Sequence, residues 1–256
     1  MRIIERWQIA LNKFLDQYKN EDYFLGAILT GSYATGNSNA NSDIDVYIVT
    51  KDSTNWRERG NKIIDGYMIE YFINPVKKIL SYFEKEQQDY HMSTTMIFVN
   101  GKILIDTDNE VQKLIDKAKE IIKSPLKEVD DFKWKMNCYS VWDGFDELES
   151  KYYENADIDF TYYIFLQRIV ESYFYNKQIS SIPLNKLEKI LSNVEYRTKY
   201  NVQQLPDDRF VELLLNCFNA KDRDKKFVYA KEIYNYFLSQ FPTFDIGNLE
   251  VRSSAE

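Results

Sequence analysis

Gly31-Ser32 and the pair Asp43-Ile44-Asp45 constrain this chain more tightly than any other feature. Phe24 to Leu29 is a short apolar run, which predicts a buried strand ending at Gly31. Ile44 to Val49 predicts a second strand. Between them lie a small-residue turn, Gly31-Ser32-Tyr33-Ala34-Thr35-Gly36, and a polar loop, Asn37 to Ser42, of which Asn39 to Ser42 reads as a flexible entry to the second strand. Side chains alternate along a strand, so Asp43 and Asp45 project from the same face, roughly 7 Å apart along the chain. Two carboxylates held together repel unless a cation sits between them. A Gly-Ser turn offers backbone N–H groups and a hydroxyl suited to phosphate oxygens. Acids that hold a cation beside a turn that holds phosphate point to chemistry on a nucleoside triphosphate.

The rest of the composition narrows this. The chain has 256 residues, 44% of them hydrophobic, and a formal net charge of −7. That is enough for one large domain or two modest ones. No apolar run approaches the ~20 residues of a membrane span, and Met1-Arg2-Ile3-Ile4-Glu5 lacks a signal-peptide core. Cys138 and Cys217 are far apart and outside metal-ligand spacing, so a reduced, cytoplasmic setting is expected. His91 is the single histidine, which excludes a His-rich zinc site; it reads as structural or exposed. The acidic balance argues against a nucleic-acid partner, whose phosphates require Lys and Arg.

The pattern along the chain divides at Ser124-Pro125. Before it, helix and strand signals mix. An amphipathic helix spans 3–18. Lys62 to Ile73 reads as a hairpin turning at Asp65-Gly66, and Asn74-Pro75 precedes a helix. A second hairpin is expected from Thr95 to Ile105, turning at Asn100-Gly101, with a helix over 109–123. After the division only helical segments emerge, at 127–153, 157–177, 184–193, 207–220 and 224–240. The expected architecture is an α/β domain with a mixed sheet and flanking helices over 1–124, an all-α helical bundle over 125–242, and a loose tail over 243–256.

Glu70 supplies a third acid. It lies mid-run in Tyr67-Met68-Ile69-Glu70-Tyr71-Phe72-Ile73, where a carboxylate is costly to bury unless paired or bound to metal. Gly31-Ser32, ten residues, then Asp43-Ile44-Asp45, with Glu70 on a later strand, resembles the signature of the DNA polymerase β-like nucleotidyltransferase superfamily over about residues 20–106. The resemblance implies that Asp43, Asp45 and Glu70 form the catalytic and metal-binding set, holding one or two Mg²⁺ ions. It implies that Gly31 and Ser32, with Asp43 and Asp45, bind the nucleotide. Glu70 would bind a second metal or help deprotonate the acceptor. Lys51, Arg57 and Arg59 are candidate phosphate contacts, and Tyr33 and Thr35 lie where they could touch nucleotide.

The second half opens with nine acids against three lysines between Asp130 and Asp159. Asp143, Asp146 and Glu147 share a helical face, which invites either a cationic ligand or ordinary solvation and pairing. In layout the chain is similar to two-domain aminoglycoside nucleotidyltransferases, which implies that one of these three acids receives a cationic acceptor or serves as base. The expected function is transfer of a nucleoside monophosphate from a triphosphate donor such as ATP to a hydroxyl of a small molecule, including an antibiotic of aminoglycoside type, with release of pyrophosphate. The alternatives are modification of a protein or RNA, as in toxin–antitoxin nucleotidyltransferases, or a non-catalytic nucleotide-binding module. A homodimer that completes the acceptor site is compatible with the sequence; a membrane partner is not expected.

Overall fold

The computed structural model describes residues 5–126 and 128–252. The chain falls into two compact units, one of residues up to Pro125 together with Thr198–Val202, the other of Leu126–Arg197 and Gln203 onward.

The first unit opens with helix α1 (Arg6–Leu15). Strand β1 (Phe24–Thr30) runs into the one-and-a-half-turn helix α2 (Gly31–Thr35), and β2 (Ile44–Thr50) follows. Strands β3 (Glu58–Ile64) and β4 (Tyr67–Pro75) form the expected hairpin. Asp65 and Gly66 have φ of 51° and 84°, the left-handed pair that a two-residue turn between twisted strands requires. Helices α3 (Val76–Asp89) and α4 (Ser93–Asn100), strand β5 (Lys102–Asp106) and helix α5 (Glu110–Ile121) complete the unit. The five strands lie in the order β3-β4-β2-β1-β5. Among the described residues, β2 and β4 pair in parallel and the other neighbours are antiparallel.

One face of the sheet packs Val46, Ile48, Ile69, Tyr71 and Leu29 against Leu11, Phe14 and Tyr18 of α1 and the turn after it. On the other face Tyr47 stacks on Phe72 at 5.7 Å, and Phe98 of α4 meets Tyr47 edge-on at 5.1 Å. Phe83 of α3 closes the cluster at 5.4 Å from Phe98. Side chains of this size contribute about 1.5–3 kcal/mol each when fully buried, so this aromatic layer fixes the face from which the acids project.

The second expected hairpin is not formed. Residues 95–99 are helical, within α4, and only Lys102–Asp106 is a strand. The cause lies outside the segment. Glu86 of α3 accepts from the amides of Thr94 (2.6 Å) and Thr95 (2.8 Å) and from the Thr95 hydroxyl (2.9 Å). A carboxylate on the first free N–H groups nucleates a helix from β-branched residues that alone favour a strand. Gly101 then has an extended φ of −70° rather than the positive value an Asn-Gly hairpin turn needs.

The second unit contains helices α6 (Asp131–Tyr153), α7 (Asp159–Asn176), α8 (Leu184–Ser192), α10 (Asp208–Asn219) and α11 (Arg223–Gln240); α9 (Val194–Lys199) follows α8, its last two residues counted with the first unit. The short α9 was not expected; Asn193 starts it by accepting from the Tyr196 amide at 2.9 Å. Its core is stacked rings, Tyr173 on Phe210 at 3.7 Å and Phe145 on Tyr234 at 4.2 Å. Beyond Pro242, read from sequence as tail, Ile246–Asn248 forms a 3-10 turn started by the Asp245 carboxylate.

Candidate active site

Parallel pairing of β2 and β4 places Asp45 directly opposite Glu70. The same register puts Thr30 of β1 opposite Asp45 and Asn61 of β3 opposite Glu70. Partners in register point to one face, so Thr30, Asp45, Glu70 and Asn61 make a row across the sheet. Asp43, two residues before Asp45, projects from that face too. Carboxylate oxygens of Asp43, Asp45 and Glu70 all come within 4.8 Å of one another. The sequence reading put Asp43 and Asp45 at the start of one strand and Glu70 on a later one; the fold brings all three together.

Gly31 sits against the cluster. Its φ is +62°, and a Cβ built there would lie 1.8 Å from Asp45 Oδ2. Only glycine both adopts that conformation cheaply and leaves the carboxylate its place. Ser32 follows as the second residue of α2. The Thr35 hydroxyl donates to the carbonyls of Gly31 (3.1 Å) and Ser32 (3.3 Å), so it closes the turn. Tyr33 packs its ring 4.9 Å from Trp7, and burial, with the neighbouring Tyr67, Glu5 and Asp43, holds its phenol above the ordinary range. The loop before β2 folds on itself: the Asn39 amide donates to Ser42 Oγ and the Asn41 amide to Asn39 Oδ1, both at 2.9 Å.

The three basic candidates separate. Arg59 Nη2 bonds Glu70 Oε1 at 2.6 Å, and its guanidinium carbon lies 4.8 Å from the centre of the Phe72 ring. Arg57 donates to the Tyr82 hydroxyl at 2.6 Å. Lys51 is exposed just past β2, its amide held by the Tyr23 carbonyl at 2.9 Å. Asn61 and Thr30 were absent from the sequence reading; the hairpin turn at Asp65-Gly66 fixes Asn61 opposite Glu70 and was the available signal.

The acids of α6 lie in the second unit. Asp143 pairs with Arg168 at 2.7 Å and Glu147 with Lys151 at 3.0 Å. Asp146 lies one turn beyond Asp143 and contributes to raising the Tyr234 phenol, after burial of that ring and Glu149. His91 is exposed, at the end of α3.

An all-oxygen, carboxylate-rich donor set suits a hard divalent cation rather than zinc or copper. The clearance at Gly31 keeps Asp45 facing into the cluster, so the residues fit such an ion. Among the described residues, no helix is long and apolar enough to cross a membrane.

Comparison with known proteins gives three likenesses. Residues 11–132 match the family model of the nucleotidyltransferase domain. The "Putative protein adenylyltransferase" of Methanocaldococcus jannaschii is 27% identical over 135 residues, 49% of this chain and 91% of that relative. A crystal structure of a nucleotidyltransferase-like protein from Exiguobacterium sibiricum superposes with a TM-score of 0.47 at 10% identity, over 91% of this chain and 75% of that one. The matched stretch is the α/β unit that carries Asp43, Asp45 and Glu70, which is thus similar to the nucleotidyltransferase domain over residues 11–132.

Proposed function

We propose that the protein transfers a nucleoside monophosphate from a nucleoside triphosphate to a hydroxyl group, releasing pyrophosphate. The observation that carries this reading is the convergence within 4.8 Å of three carboxylates, Asp43 just before β2, Asp45 on β2 and Glu70 on β4, beside the Gly31-Ser32 turn. Asp43, Asp45 and Glu70 would hold divalent metal, Mg²⁺ by the nature of the donors. Such an ion supplies charge neutralisation for the triphosphate and the departing pyrophosphate. The protein's own part is positioning. Gly31 leaves the space that Asp45 occupies. The Gly31 and Ser32 backbone and the Ser32 hydroxyl would meet phosphate oxygens, and Glu70 would bind a second metal or help take the proton of the attacking hydroxyl.

Two observations bear on the acceptor. Asp143 and Glu147 are engaged by Arg168 and Lys151, which removes two charges from the surface a polycationic sugar would use. The archaeal relative is named for transfer of adenylate to protein. We therefore favour a protein side-chain hydroxyl, with ATP as donor. A small-molecule hydroxyl, including an aminoglycoside-like antibiotic, is the second reading; Asp146 on the same helix is the acid that would serve it. Incubation with α-labelled ATP, GTP, CTP or UTP, a cell lysate and, separately, a panel of aminoglycosides tests both. Label on a protein band, lost in Asp45→Asn, is the expected result. Label on an antibiotic alone selects the second reading, and no transfer from any triphosphate to either pool rejects the proposal.

A further inference from the structure

We propose that Arg59 and a divalent cation compete for the Glu70 carboxylate, so that Arg59 positions Glu70 in the metal-free site and releases it when the cation enters. This rests on the reading of Asp43, Asp45 and Glu70 as metal ligands. Arg59 and Glu70 are not register partners. Arg59 lies opposite Phe72, and Glu70 opposite Asn61, so the guanidinium reaches diagonally to the acid two residues away on the neighbouring strand. It arrives at 2.6 Å from Oε1 after crossing the Phe72 ring, which stacks on Tyr47 beneath. The aromatic layer therefore steers the arginine to the acid.

The two partners differ in their surroundings. The Arg59 side chain is 69% exposed and extends from edge strand β3, whereas Glu70 is 21% exposed and lies within the sheet between Asp45 and Asn61. When the pair opens, it is Arg59 that moves. Glu70 alone beside two other carboxylates would be repelled from the cluster, and the guanidinium offsets that repulsion. A cation bound by all three acids supplies the same charge, so both cannot hold the Glu70 oxygen fully at once. Arg59 is thus a positioning residue, acting through Glu70.

Mn²⁺ binding to the nucleotide-free protein, followed by the electron paramagnetic resonance signal of free Mn²⁺, tests this without turnover. Arg59→Met keeps an unbranched stem on Phe72 and removes the charge. At low ionic strength it is expected to tighten Mn²⁺ binding roughly fivefold, the upper range for a partly exposed pair. In a Glu70→Gln background the same substitution should change affinity less than about twofold, because there is no carboxylate to contest. Unchanged or weaker binding in Arg59→Met would overturn the inference, as would an equal gain in the Glu70→Gln background, which signals a general field effect. If wild type binds Mn²⁺, Asp45→Asn abolishes it and Arg59→Met does nothing, only this inference fails. If wild type binds no Mn²⁺, the metal-site reading fails with it.

Discussion

Asp45 and Glu70 are neighbours because β2 and β4 pair in parallel, although 24 residues and an entire edge strand separate them in sequence. Parallel strands need a crossover, and here the chain makes it through β3, which lies on the far side of β4. The consequence is that Asp45 and Glu70 sit on neighbouring strands inside the sheet, with Asp43 just before β2. The Asp45–Glu70 spacing is set by strand pairing rather than by a loop.

Gly31→Ala is expected to damage the site and the fold together. The added Cβ would stand 1.8 Å from Asp45 Oδ2 at a φ of +62°. The backbone cost alone is about 1–2 kcal/mol. Urea unfolding should show at least that loss, and Mn²⁺ affinity should fall because Asp45 must turn aside.

Glu86→Ala removes the acceptor for the Thr94 and Thr95 amides and the Thr95 hydroxyl. Losing a capping carboxylate costs about 1–2 kcal/mol. Hydrogen exchange should quicken in Ser93–Asn100 more than in β2 or β4, which marks Glu86 as the reason the segment is helical.

How much of this was legible beforehand depends on range. The Gly-Ser turn, the acid pair and Glu70 were visible because each is fixed by local pattern, a two-residue alternation or an apolar run broken by one charge. The hairpin at Asp65-Gly66 was equally local. Residues 95–99 misled because their β-branched side chains state a preference that Glu86, eight and nine residues upstream of its partners, overrides. The acidic face of α6 was legible as a cluster, but its partners were not. Lys151 was within one turn of Glu147, but Arg168, which takes Asp143, is 25 residues away on α7 and has no local signal.

Asp207 should govern the acid stability of the helical unit. It caps α10 through the Phe210 amide at 2.9 Å and accepts from the hydroxyls of Tyr173 and Tyr236. Burial alone would raise its pKa, yet the hydrogen bonds from Tyr173, Phe210 and Tyr236 outweigh it and hold the carboxyl below the ordinary range. A lowered folded pKa means stability that is present above the unfolded value of about 3.9 and lost as pH falls below it. Asp207→Ala should cost about 2–4 kcal/mol near neutrality, from the cap and two stranded hydroxyls. It should also flatten the acid limb of the pH–stability curve measured by urea melts.

The same cluster sets an alkaline limit. Burial first, then the hydrogen bond to Asp207, pushes the Tyr236 phenol up to about 12. A raised folded pKa gives stability that is complete below the unfolded value of about 10 and lost as pH rises toward the folded one. Tyr236→Phe should therefore reduce the alkaline sensitivity between those limits while lowering stability at neutral pH.

Both cysteines are expected to be inert in the native protein. Burial pushes the Cys138 and Cys217 thiols up to about 12, so the thiolate that reacts is scarce at pH 8. Native protein should take up no alkylating label over an hour by intact mass, and two labels per chain after unfolding in denaturant.

The most direct test is anomalous scattering from a crystal grown with Mn²⁺ and a nonhydrolysable triphosphate. The expected result is anomalous density in coordinating contact with Asp43, Asp45 and Glu70, with triphosphate oxygens completing the shell beside Gly31 and Ser32. A triphosphate bound elsewhere, or bound beside Gly31 with no cation on the three carboxylates, would contradict the reading of this cluster as the metal centre of nucleotidyl transfer.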